Sequence, residues 1–141
     1  MNAPDGTAEQ IAALLDVLVR RQRRAAKTDL GDGVTHGRVR ALRTLDHADR
    51  PVRLSELATL LDIVPRSATS LVDDLEAAGL VARRPDPNDR RATLVALTPA
   101  GTTLLTTIRR NRRDAMVTLL DRLTTSEQTT LHDLLTRLAA D

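Results

Sequence analysis

Between Pro65 and Gly79 the polar residues Arg66, Ser67, Thr69, Ser70 and Asp73 alternate with the apolar Ala68, Leu71, Val72 and Leu75. That is the spacing of a helix buried along one side. Its open side carries a guanidinium and three hydroxyls. Arginine pairs bidentately with guanine edges, and hydroxyls suit phosphates or bases, so the set fits the major groove of duplex DNA. A merely soluble helix face is the competing reading. A second set follows. Arg90 and Arg91 come directly after the turn-forming run Pro85-Asp86-Pro87-Asn88-Asp89. On a protruding loop either arginine could enter a narrow minor groove, whose negative potential draws in a guanidinium. Asp89 is close enough in sequence to hold that guanidinium. Arg38 and Arg40 add two candidate phosphate contacts.

Composition removes other chemistries. The chain has no Cys, which excludes disulfides, thiolate nucleophiles and Cys-ligated zinc. It has no Phe, Tyr or Trp, which excludes stacking of bases on aromatics and leaves a core of Leu, Val, Ile and Ala. His36, His47 and His132 fall in three separate segments. Asp46-His47-x-Asp49 lacks a second His at helical spacing, so no metal site is expected. There is no Ser/His/Asp arrangement and no glycine-rich phosphate loop, so neither an enzyme nor a cofactor is expected. No apolar run reaches the ~18 residues of a membrane span, and no secretory signal is visible. The expectation is a cytoplasmic protein that contacts no membrane. The basic side comprises 20 Arg and one Lys against 19 acidic residues, a net charge of only +2. Indiscriminate DNA binders are usually far more basic, which favours a selective binder over an architectural one.

The elements that would position these residues can be read along the 141 residues, a length that fits one domain. Residues 1–6 form a polar tail expected to be disordered. Ile11, Leu14, Leu15, Leu18 and Val19 form the stripe of a first helix, which Gly31-Asp32-Gly33 should end. Thr35 is the candidate N-cap of a second helix through Val39, Leu42 and Leu45. Val52 and Leu54 suggest a very short strand. Leu57, Ala58, Leu60 and Leu61 mark a third helix. Pro65, suited to a first helical position, opens the fourth, and Gly79 closes it. Residues 55–79 therefore read as a helix-turn-helix. Leu80–Arg84 and Thr93–Leu97 alternate as two strands of a hairpin, with Arg90 and Arg91 in its loop. Thr98-Pro99 starts a long fifth helix, whose stripe from Leu104 to Leu123 spans about six turns. Such a helix outruns a small domain and suggests a partner surface. Thr124-x-x-Glu127 is a capping box for a last helix faced by Leu131, Leu134, Leu135 and Leu138. The fold class is mainly α with a small β-hairpin wing: a winged helix-turn-helix plus a helical region.

Three blocks carry a family resemblance. Leu71-Val-Asp-Asp-Leu-Glu-Ala-Ala-Gly-Leu-Val81, Asp86-Pro-Asn-Asp-Arg-Arg91 and Val95-Ala-Leu-Thr-Pro-Ala-Gly101 stand in the order and spacing of the MarR family of bacterial transcription regulators, which the chain resembles closely over about residues 54–105. The resemblance implies a single domain over 7–141, with helices at 7–31 and 99–141 dimerising and a DNA-binding lobe at 35–98. It implies a homodimer that places its fourth helix in the major groove and its wing in the minor groove of double-stranded DNA, on an imperfect palindrome with half-sites roughly 34 Å apart. By position, Arg91 matches the wing-tip arginine and Asp89 its ion-pair partner, while Arg66, Ser67, Thr69 and Ser70 match the reading face. The resemblance also implies a small-molecule effector and repression more than activation. The clusters Arg20–Arg24 and Arg109–Arg113 read first as solvated or intersubunit salt bridges. Their sharper role would be to hold an anionic effector. Arg53 and Asp62 depart from the family pattern, standing where a hydroxyl N-cap and a glycine are usual.

Overall fold

A computed structural model describes residues 6–28 and 35–140. The polar tail, apart from Gly6, and the Gly31-Asp32-Gly33 stop lie outside the described residues. The elements run α1 (Thr7–Thr28), α2 (His36–Ala48), β1 (Val52–Arg53), α3 (Leu54–Leu61), α4 (Pro65–Ala77), β2 (Val81–Asp86), β3 (Asp89–Leu97), α5 (Pro99–Leu120) and α6 (Thr125–Ala139). The chain separates into two compact units, Leu30–Arg109 and the pair of segments Met1–Asp29 and Arg110–Asp141.

The first unit is a winged helix. Its sheet has the order β1-β3-β2, all antiparallel, with Val52 opposite Val95 and Val81 opposite Leu97. Leu42 of α2, Leu57 of α3, Val72 and Leu75 of α4, Val95 of β3 and Leu105 of α5 meet in one buried cluster. Burying side chains of this size stabilises by about 1.5–3 kcal/mol each, before chain entropy is subtracted. Local signals fix the ends. Thr35 caps α2 by accepting from the Arg38 amide, as its hydroxyl suggested. Asp62 ends α3 at φ 53°, the left-handed conformation that glycine would adopt more readily. Gly79 follows α4 at φ 74°.

Three local readings shift. Leu54 is not in the short strand: β1 ends at Arg53, and Leu54 opens α3, packed against the core. α5 ends at Leu120, and Leu123 lies beyond it, its amide bonded to the Leu120 carbonyl. The largest shift is in the wing. Pro85 and Asp86 remain paired in β2, so the turn shrinks to Pro87-Asn88, and Arg90 and Arg91 lie in β3 rather than in a loop. Pro85 is tolerated because β2 is an edge strand. Asp86 closes the turn by accepting from the Asn88 amide at 2.9 Å.

The second unit is helical. Gln22 Nε2 of α1 donates to the Arg112 carbonyl of α5 at 3.3 Å. Both halves of the Thr124/Glu127 capping box form at the start of α6. This unit leaves its apolar stripes open: Leu14 of α1 is 63% exposed, Val117 of α5 51% and Leu138 of α6 74%. No helix among the described residues is long and apolar enough to cross a membrane.

Candidate nucleic-acid interface

α4 is built to bury one face and present the other. Val64 is its N-cap and makes no side-chain capping bond; Pro65 follows at the first helical position. Ala68, Val72 and Leu75 are buried, which turns Arg66, Ser67, Thr69, Ser70 and Asp73 outward. The Arg66, Ser67 and Ser70 side chains make no hydrogen bond or ion pair with described residues. The Thr69 hydroxyl donates to the Pro65 carbonyl at 3.1 Å, so its methyl and remaining lone pair are what it offers outward.

The acids of α4 are neutralised from neighbouring elements. Arg83 of β2 donates to Asp73 at 2.6 Å and to Glu76 at 3.1 Å. Burial works against its charge, but the two carboxylates prevail and hold its pKa above the usual arginine value. Arg38 of α2 pairs with Asp74 at 3.2 Å. With Asp73, Asp74 and Glu76 all engaged, the field over this face is set by the arginines that remain open.

Besides Arg66 of α4, the open arginines lie on the wing. Arg84, Arg90 and Arg91 are exposed. None of their guanidinium groups has a partner among the described residues. Asp89 does not hold the Arg91 guanidinium as expected; its carboxylate accepts from the Arg91 backbone amide at 3.0 Å. The carboxylate thus shapes the start of β3 and leaves the guanidinium free to reach a ligand. The ion pair that steadies the wing is a different one. Arg53 Nε donates to Asp86 at 2.7 Å, with the Asp86 side chain only 6% exposed. The Asn88 amide foremost, and the Arg53 guanidinium with it, hold the Asp86 carboxyl below its ordinary pKa against the opposing effect of burial. Arg53 therefore contributes as a brace at the start of α3, where it cannot serve as a capping side chain.

These pieces converge on a cleft of about 400 Å³ lined by Arg53, Ser55, Pro65, Thr69, Asp89 and Arg91. It brings the starts of α3 and α4 together with the start of β3, next to the turn of the wing. Helix N-termini, a hydroxyl and guanidinium groups are the donors that hold a phosphate. Arg53 and Ser55 were not singled out as binding residues from sequence. The sequence signal for Ser55 is a hydroxyl in the first turn of α3; Arg53 had none beyond its odd place at a cap.

Arg40 is not among this set. It lines a separate groove of about 710 Å³ in the same unit, with His47, Arg50, Glu56, Leu60 and Arg109 among its walls. Arg109, one of the clustered α5 arginines, pairs there with Asp46 at 2.5 Å, and Arg50 pairs with Glu56 at 2.5 Å. Among the described residues no group of three or more His, Cys, Asp or Glu could hold a metal ion, the Asp46-His47-x-Asp49 run included.

The MarR family model matches residues 34–93. The uncharacterized HTH-type transcriptional regulator YdgJ of Bacillus subtilis (strain 168) is 31% identical over 106 residues, which are 75% of this chain and 64% of that protein. The chain thus spans somewhat less than two thirds of the length of this curated relative. Among solved structures, YusO from Bacillus subtilis superposes with a TM-score of 0.77 at 24% identity, covering 98% of both chains. A mutant of MepR from S. aureus, bound to an oligodeoxyribonucleotide, gives 0.77 at 21% identity over 91% of this chain and 94% of that one. At these identities the two structures establish a shared fold.

Proposed function

The chain belongs to the MarR family, and we propose that it is a sequence-specific transcription regulator that binds a pseudo-palindromic operator in double-stranded DNA as a homodimer. The observation that carries this reading is the pairing pattern on one lobe. Every acid on the outer side of α4 is engaged by an arginine, while Arg66 and Arg90 stay open and Arg91 lines a cleft of about 400 Å³ with Arg53, Ser55 and Thr69. α4 supplies Arg66, Ser67, Thr69 and Ser70 to the major groove, and the wing supplies Arg91 and Arg90 to the minor groove. Asp89 orients the backbone at Arg91, and Arg38 acts on the flank beside Asp74.

Two further parts of the reading have their own support. α1, α5 and α6 expose apolar stripes that a lone chain would leave in water, and a second copy of the chain is the occupant proposed for them. These helices form the dimerisation region and residues 35–98 the DNA-binding lobe. Repression relieved by an anionic small-molecule effector is supported by the 710 Å³ groove, where the four arginines Arg40, Arg43, Arg50 and Arg109 outnumber the two carboxylates Asp46 and Glu56 beside apolar Leu60.

The test is a footprint of the full chain on the DNA upstream of its own gene, at near-physiological salt with excess competitor. A two-fold-symmetric protected site is expected. Uniform coverage that fades as salt rises would instead mark a nonspecific, architectural binder.

A further inference from the structure

Resting on the DNA-binding reading above, we propose that Val64 is a specificity-determining residue that reads the C5-methyl group of a thymine in the major groove. Among the described residues of the winged lobe, Val64 and Leu60 are the large apolar side chains left exposed, and Val64 is the more exposed at 64%. Leu60 faces the groove beside Arg40 and Arg109. Val64 instead stands at the leading end of α4, one residue before Pro65 and two before Arg66.

Its position is chemically odd. Val64 is the N-cap of α4, at φ −68° and ψ 149°, and makes no capping bond. Ser, Thr, Asp and Asn are preferred there because a side-chain oxygen can accept one of the free amides of the first turn, and Val is among the poorest choices. Its carbonyl accepts from the Ser67 and Ala68 amides, but its side chain contributes neither to the cap nor to the core. What it presents is an exposed, branched apolar side chain two and three residues ahead of the exposed Arg66 and Ser67. A surface that combines cationic donors with one apolar group matches the major groove, where the thymine methyl is the apolar feature among donors and acceptors. A partner protein would have to bring a polyanionic surface to satisfy the same neighbours, and duplex DNA is the polyanion that also carries the methyl.

The experiment begins by selecting a duplex from a random library with the full chain. Each thymine of the selected site is then replaced in turn by deoxyuridine, which removes the methyl alone. Binding of the wild-type chain should weaken about fourfold at one thymine per half-site, the amount associated with burying one methyl-sized group. In Val64→Ala that penalty should vanish. Val64→Ser separates reading from folding: it restores a capping hydroxyl, so Tm should rise while the methyl dependence is lost. A flat deoxyuridine scan for the wild type, or a penalty that persists in both variants, would overturn the assignment. If no sequence is selected from the library, the DNA-reading function itself fails, and the assignment with it.

Discussion

The Arg83 guanidinium of β2 donates to the Asp73 carboxylate of α4 across 2.6 Å. The same side chain reaches Glu76 at 3.1 Å and the Thr69 carbonyl at 3.4 Å, while its backbone amide donates to Glu76 at 3.0 Å. One residue of the wing is thereby tied to three residues of the neighbouring helix. The groove contacts proposed for α4 and for the wing would thereby be held at a fixed spacing, which is what two adjacent grooves require.

Arg83→Ala should therefore lower stability by about 1 kcal/mol, the scale of partly exposed pairs with good geometry. It should also weaken specific DNA binding, because Asp73 and Glu76 become uncompensated charges beside phosphates. Urea denaturation followed by far-ultraviolet circular dichroism and a binding titration give the two values. Normal DNA affinity would show that the two carboxylates lie outside the contact.

Arg91→Ala should reduce specific binding by about 1–3 kcal/mol, the scale of a good groove contact, with stability unchanged because its guanidinium makes no internal bond. Asp89→Ala should weaken binding less, acting only through the Arg91 backbone amide. A titration of both variants against the same duplex gives the order, and the reverse order would make Asp89 the principal wing residue.

The lower pKa of Asp86 links wing stability to pH. A carboxyl held below its unfolded value contributes stability that is present above about pH 4 and is lost as pH falls through its folded value. Protection of the β2 and β3 amides, measured against the intrinsic exchange rate at each pH, should therefore fall in acid before that of the helices of the lobe. Asp86→Asn should remove that acid sensitivity, leaving the residual pH dependence to other carboxylates such as Glu56, which Arg50 also holds low.

At Gly101 a side chain has no room. A Cβ there would collide with the Leu80 carbonyl oxygen and crowd Leu97, close to where the Thr98 amide and hydroxyl bond the Leu80 and Gly79 carbonyls. Gly101→Ala should cost about 1–3 kcal/mol, the range for overpacking, despite the better helix propensity of alanine. A higher urea midpoint would contradict this close approach.

For the dimer, Leu14→Asp is the informative change, since Leu14 is 63% exposed in the lone chain. Burying such a leucine is worth about 1.5–3 kcal/mol per copy, and an aspartate at the interface reverses the sign. Light scattering should find a monomer whose helical content is unchanged. A dimer of undiminished strength would place the interface on other helices.

The elements were legible because their signals are local. Thr35, Pro65, Gly79, Thr98 and the Thr124/Glu127 pair each act within a few residues, on backbone groups that their own types satisfy. Periodic Leu and Val gave the buried faces, and the outward set Arg66, Ser67, Thr69 and Ser70 followed by subtraction. Partnership between charges was not legible, because it depends on which elements pack together. Asp89 and Arg91 are close in sequence, yet the carboxylate bonds a backbone amide. Arg53 and Asp86 are 33 positions apart, yet they form the brace of the wing. Arg38, read as a candidate phosphate contact, and Arg83 of β2 each pair with acids of another element, α4. The sequence by itself determined where the capped helices begin and which of their faces are apolar, since those depend on neighbours along the chain, whereas the extent of the wing strands came from their pairing. Only the tertiary structure decided which arginines are neutralised and which stay open, since Coulomb attraction acts through space and falls with distance whatever the separation along the chain.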